Sequence, residues 1–122
     1  MFDARGNLSV VEGEKDLPFI IKRVFYIWGN DGCFNRGGHA HKELNQSFIC
    51  LNGSCRLRIS DGHSTQELTL DTPMYLATIA PGLWVDICEF CPGAVLMVLC
   101  SEYFDEGDYI RDYNEYLRYA KA

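Results

Sequence analysis

The sequence predicts an all-β protein, a single barrel or jelly roll finished by one short C-terminal α-helix. Three observations carry this prediction. Short runs of β-branched, aromatic and aliphatic residues recur as far as Cys100. Asn-Gly, Asp-Gly and Pro-Gly pairs punctuate them at about the 8–12-residue spacing of strands in sandwiches and barrels. Beyond Asp108 the period changes, with apolar residues at Ile110, Tyr113, Leu117 and Ala120, the steps of three and four that mark one helix face.

The predicted strands follow in order at residues 8–11, 20–28, 47–51, 55–60, 67–70, 74–79, 83–88 and 95–100, each enriched in residues that suit a pleated surface. Turns are expected at Asn30-Asp31-Gly32, Asn52-Gly53, Asp61-Gly62, Asp71-Thr72-Pro73, Ala80-Pro81-Gly82 and Cys91-Pro92-Gly93. Gly62 and the polar residues up to Gln66 read as a hairpin tip. Arg118 and Lys121 near the end of the predicted helix complement its dipole.

The whole of residues 1–122 reads as one domain, with 48% hydrophobic and 13% aromatic residues and no low-complexity tract. The apolar runs are short, so neither a signal peptide nor a membrane span is expected, and the expected compartment is the cytoplasm. There the six cysteines, Cys33, Cys50, Cys55, Cys88, Cys91 and Cys100, read as reduced thiols. Cys88 and Cys91 have C-x-x-C spacing, but no second pair stands at zinc-site spacing, so a structural role is expected. The net charge of −6 excludes a nucleic-acid polymer as partner, because phosphate contacts need a basic face. A small phosphorylated ligand held by a few local arginines remains compatible with it.

The chemistry concentrates at Arg36-Gly37-Gly38-His39-Ala40-His41. In an extended strand, residues two apart share a face, so His39 and His41 present two imidazoles to one spot. An imidazole titrates near neutrality and can both take and return protons. Arg36 adds permanent positive charge where an oxyanion would develop. With Gln46 and Gly53, the spacing resembles the first signature of the cupins, in which a metal-binding member has a glutamate at the position of Gln46. A further ligand histidine should follow Pro81-Gly82, where the sequence reads Leu83-Trp84-Val85-Asp86. His63 lies at a predicted hairpin tip, and two histidines with Asp86 make a poor metal site. The expected cofactor and metal are therefore none, and the histidine pair reads as bare acid/base catalysis.

Beyond that signature, the chain closely resembles the cupin-type dTDP-4-keto-6-deoxyglucose 3,4-ketoisomerases, which supply 3-keto sugars for aminodideoxyhexose synthesis. The matching blocks are Asp3-Ala4-Arg5-Gly6-Asn7-Leu8, Leu17-Pro18-Phe19 with Ile21-Lys22-Arg23-Val24, the Arg36 to Lys42 segment, Leu51-Asn52-Gly53-Ser54-Cys55 with Asp61-Gly62, and Tyr103-Phe104-Asp105-Glu106 running into Asp108-Tyr109-Ile110-Arg111-Asp112-Tyr113. The resemblance implies a metal-free cupin jelly-roll barrel that forms a homodimer, often by exchanging N-terminal strands. It implies a dTDP-linked 4-keto-6-deoxyhexose substrate whose ketone moves from carbon 4 to carbon 3. Carried over residue by residue, it makes His39 and His41 the proton-transfer pair beside Arg36, with Tyr26 as a hydroxyl lining the site. Arg5 is expected near the sugar, where it favours a galacto product, and Arg23 and Lys22 at the diphosphate. Arg56 and Arg58 share a strand face and are expected to be solvated. Val85, at a position that is histidine in some members, has no proton to give.

Two other readings of the same residues remain open at this point. One is a metal-dependent cupin isomerase or oxygenase; the other is a non-catalytic cupin that only binds a nucleotide sugar.

Overall fold

The computed structural model of the protein describes residues 2–32 and 34–121. Its strands are β1 (Phe2–Asp3), β2 (Gly6–Asn7), β3 (Arg23–Ile27), β4 (Arg36–His41), β5 (Gln46–Asn52), β6 (Cys55–Ser60), β7 (Thr65–Leu70), β8 (Ala77–Ile79), β9 (Trp84–Cys88), β10 (Val95–Cys100) and β11 (Tyr109–Ile110). A 3₁₀ turn at Glu106–Asp108 precedes β11, and one helix, α1 (Tyr113–Lys121), follows it. β1 and β2 form a small hairpin of their own. The rest forms two antiparallel sheets, one ordered β3-β10-β5-β8 and the other β11-β4-β9-β6-β7. This is the all-β architecture with a terminal helix that the sequence pattern predicts.

Alternation decides which side chains meet between the sheets. On β6, Cys55, Leu57 and Ile59 are buried while Arg56 and Arg58 between them reach outward. Phe48 and Cys50 of β5, Leu96 and Val98 of β10, and Val85 and Ile87 of β9 complete the central cluster. Two smaller clusters cover the outer faces. Leu17 and Phe19, from the long segment before β3, pack on Ile49 and Leu99. Trp84, Ala40 and Ile110 pack beneath Tyr116 of α1. The Tyr116 hydroxyl lies 3.0 Å from the Ser60 carbonyl and 2.8 Å from that of Gly82, so the helix is fastened to both β6 and the β8–β9 turn.

Several predicted boundaries are corrected. Residues 8–11 are not a strand, although Val11 packs against the Leu17–Phe19 cluster. The strand predicted over 20–28 is confined to β3, and that over 74–79 to β8. The helix begins at Tyr113 rather than Asp108, because residues 109–110 pair with β4 as an edge strand.

Candidate active site

Arg36 and His39 are an odd number of residues apart, so a regular strand would send them to opposite faces. The Gly37-Gly38 pair prevents this. Opposite β9, Arg36 pairs with Ile87, Gly37 with Asp86 and His39 with Val85, leaving Gly38 as an extra residue in a β-bulge. Both glycines are left-handed, at φ 79° and 72°, a conformation costly for any residue with a Cβ. A Cβ on Gly37 would also lie 2.8 Å from the Val85 carbonyl oxygen. The bulge thus places Arg36, His39 and His41 on the same inner wall.

That wall borders a cavity of about 450 Å³, lined among others by Arg23, Arg36, His39, Gln46, Tyr109 and Arg111. The His39 and His41 rings meet edge to face, 5.0 Å apart at an interplanar angle of 83°. Tyr109 packs against both, at 4.9 Å from His39 and 4.2 Å from His41. The two histidines are not equivalent. His39 is half-buried and lines the cavity, whereas His41 is only 3% exposed and borders a separate cleft of about 310 Å³ shared with Phe104, Asp108 and Tyr109.

The surroundings of His41 are specific. Its Nδ1 lies 3.2 Å from Oδ2 of Asp108. The same carboxylate accepts the backbone N–H of Glu43 at 2.8 Å and of Leu44 at 3.3 Å. Asp108 comes from the turn before β11, and its own carbonyl accepts the N–H of Lys42 at 3.0 Å. Pairing of β11 with β4 therefore delivers the carboxylate to the histidine.

Electrostatically the site favours neutral imidazoles. Burial, then the neighbouring His41, pull the pKa of His39 from 6.5 down to about 4; the Gly37 carbonyl opposes them, Arg111 adds a smaller lowering and Glu106 a still smaller rise. Burial also lowers that of His41, while Asp108 pulls upward. Three buried polar atoms lack a protein partner among the described residues: Nδ1 of His39, Nε2 of His41 and Nε of Arg23. Such groups are costly unless something meets them. Arg23, on β3, and Arg111, just beyond β11, both line the cavity. The Arg23 guanidinium lies 5.6 Å from the ring of Phe25 and 5.7 Å from that of Phe104, and that of Arg111 lies 4.2 Å over the ring of Tyr109.

Of the residues expected at the site, His39, Arg36 and Arg23 line the cavity and His41 abuts it. Tyr26 does not. It is 64% exposed on the outer face of β3, and its neighbours Phe25 and Ile27 point inward, so the expectation of a lining hydroxyl there is corrected. Lys22 binds Glu102 at 3.1 Å and lies over Tyr103, away from the cavity. Arg5 is exposed in the β1–β2 turn, and His63 is exposed at its hairpin tip. Arg56 and Arg58 form an outer-face network with Glu67 and Glu89. Sequence reasoning did not single out Asp108, Tyr109 or Arg111 as site residues.

The donor set does not suit the metal centre of a metal-binding cupin. Gln46 offers an amide, Val85 offers nothing opposite His39, and Nδ1 of His41 is taken by Asp108. Asp86 lies on the other face, accepting from Nε1 of Trp84 at 3.2 Å. Among the described residues, no group of three His, Cys, Asp or Glu side chains is arranged to hold a metal ion.

Comparison with known proteins gives a consistent result. A family model described as FdtA, WxcM-like, C-terminal, matches residues 1–121. The TDP-4-oxo-6-deoxy-α-D-glucose-3,4-oxoisomerase of Aneurinibacillus thermoaerophilus is 46% identical over 119 residues, covering 98% of this chain and 86% of that protein. A crystal structure of a 3,4-ketoisomerase from Helicobacter canadensis superposes with a TM-score of 0.96 at 41% identity, over 98% of this chain and 90% of the other. A mutant of the 3,4-ketoisomerase QdtA from Thermoanaerobacterium thermosaccharolyticum, in complex with TDP-4-keto-6-deoxyglucose, superposes with a TM-score of 0.97 at 43% identity, over 99% and 88%.

Proposed function

The chain belongs to the FdtA, WxcM-like family, and from that premise we propose that it is a sugar-nucleotide 3,4-ketoisomerase acting on TDP-4-keto-6-deoxyglucose. The observation that carries this reading is a pair of largely neutral imidazoles 5.0 Å apart, of which His39 lines a cavity bordered by three arginines. The relatives named for the same activity, at 41% and 46% identity, support it.

The reaction needs only proton transfers. The carbon 4 ketone acidifies the carbon 3 hydrogen, a base removes that proton, and the carbon 4 oxygen takes one up to give an enediol. Loss of the proton on the carbon 3 oxygen and protonation at carbon 4 complete the exchange, so protons balance and no redox partner is consumed. Neutral imidazoles suit the first step, and Arg36 supplies positive charge where the enediolate forms. Arg23, with an unpartnered Nε, and Arg111 are the cations we assign to the diphosphate. No step requires a metal.

The proposal extends to a homodimer, as the resemblance implies. Its support is the outer face of β3 and the residue just beyond it, where Val24, Tyr26 and Trp28 are 49%, 64% and 70% exposed, an apolar stripe of the kind that protein partners cover. Light scattering coupled to size exclusion should give twice the mass of the chain; a monomer at micromolar concentration would refute this part.

The activity is tested by incubating the protein with TDP-4-keto-6-deoxyglucose in deuterated water and following the sugar by NMR. Movement of the ketone to carbon 3 with deuterium at carbon 4 is expected. Tight binding without exchange would instead identify a non-catalytic nucleotide-sugar binder.

A further inference from the structure

We propose that Asp108 is the positioning residue that commits His41 to one tautomer, with the proton on Nδ1 and Nε2 bare. This rests on the ketoisomerase reading and adds a division of labour between the two histidines. The geometry supports it from both sides of the carboxylate. Asp108 already accepts two backbone N–H groups, from Glu43 and Leu44, which fix the orientation of its carboxylate. An anionic carboxylate 3.2 Å from Nδ1 can only accept, so Nδ1 must carry the hydrogen. The remaining lone pair is then on Nε2, which is buried and has no protein partner among the described residues. Nothing comparable fixes His39, whose Nδ1 is itself unpartnered and which lines the cavity.

The consequence is chemical. A proton reaching Nε2 of His41 creates an imidazolium whose second N–H already points at a carboxylate, and the proton leaves again from Nε2. His41 starts and ends neutral, and Asp108 neither gains nor loses a proton. The tautomer is set before substrate arrives, so no reorientation is needed during the reaction.

Two measurements test this. In the wild-type protein, nitrogen-15 NMR of the histidine side chains should show His41 protonated at Nδ1 and unprotonated at Nε2; the reverse tautomer would overturn the proposal. This readout does not depend on turnover, so it stands apart from any failure of the ketoisomerase reading. The second measurement is a double-mutant cycle on the full chain. Asp108→Asn should lower kcat by roughly 100-fold or more, the scale of general acid/base catalysis, with KM changed by less than about threefold. In a His41→Asn background the same substitution should have no further effect on kcat. Additive losses, or a kcat unchanged in Asp108→Asn, would refute a role through His41. Should Asp108→Asn fail to fold, the wild-type tautomer alone decides.

Discussion

The guanidinium of Arg111 lies 4.2 Å over the ring of Tyr109, which also meets the two imidazoles and Phe104. Arg111 is held from the other side by Glu106, through contacts of 2.7 and 2.9 Å. A planar cation gripped by a carboxylate and an aromatic face is pre-oriented to offer its remaining donors to an anion. Replacing Arg111 by Ala should raise the KM for the nucleotide sugar by about tenfold or more, the scale of one charge-assisted hydrogen bond. Thermal stability should barely change, since both members of the pair are exposed. Steady-state kinetics beside a melting curve separate the two effects.

The buried imidazoles make stability depend on pH in a defined direction. His39 has a folded pKa of about 4 against 6.5 when unperturbed, so between these values the unfolded chain binds more protons than the native one. Its contribution is fully present above pH 6.5 and is lost as pH falls towards 4. His41, also lowered, acts in the same sense. Melting temperatures should therefore drop across this window, and the slope should flatten in His39→Asn. An unchanged slope in that variant would contradict the assignment.

The bulge glycines should respond unequally to alanine. Both have positive φ, which costs a residue with a Cβ about 1–2 kcal/mol. At Gly38 the new methyl would meet nothing closer than Asp86 Oδ1 at 3.5 Å, whereas at Gly37 it would press on the Val85 carbonyl oxygen at 2.8 Å. Urea denaturation should rank wild type above Gly38→Ala, and that above Gly37→Ala. Deleting Gly38 should turn Arg36 outward and raise KM or abolish turnover.

The thiols should divide by accessibility. Cys50, Cys55, Cys88 and Cys100 are buried free thiols, and burial raises the pKa of each, that of Cys55 to about 12. Cys91 is only partly buried and accepts the Ser54 N–H at 3.1 Å. Alkylation of the native protein followed by peptide mapping should label Cys91 and leave those four untouched until denaturant is added.

Much of this was legible in the sequence wherever one face of a strand is polar. The alternation of Cys55, Leu57 and Ile59 with Arg56 and Arg58 fixes the inner side of β6, and His39 and His41 share a face by spacing alone. From Val24 to Trp28, along β3 and one residue past it, apolar residues fall on both faces, with Phe25 and Ile27 inside and Val24, Tyr26 and Trp28 outside. Pattern could not choose between them, and Tyr26, which the resemblance puts at the site, lies on the exposed face. Ile110 fitted a helical period because it packs with Tyr116 of α1, yet it belongs to a strand. Asp108 was invisible as a site residue because its position follows from pairing with β4, a non-local contact that no local spacing reports.

The segment that completes the site has a consequence for how the protein is made. Chains emerge from their N-terminus, and every strand from β1 to β10 is synthesised before Asp108, Tyr109 and Arg111 exist. His41 waits for a partner 67 residues downstream. The sheet β3-β10-β5-β8 contains no residue beyond Cys100, so only the other sheet needs the segment that brings the carboxylate and the ring to His41. Most of the barrel is thus independent of residues 108–111, whereas the surroundings of the histidine pair are complete only when β11 pairs with β4.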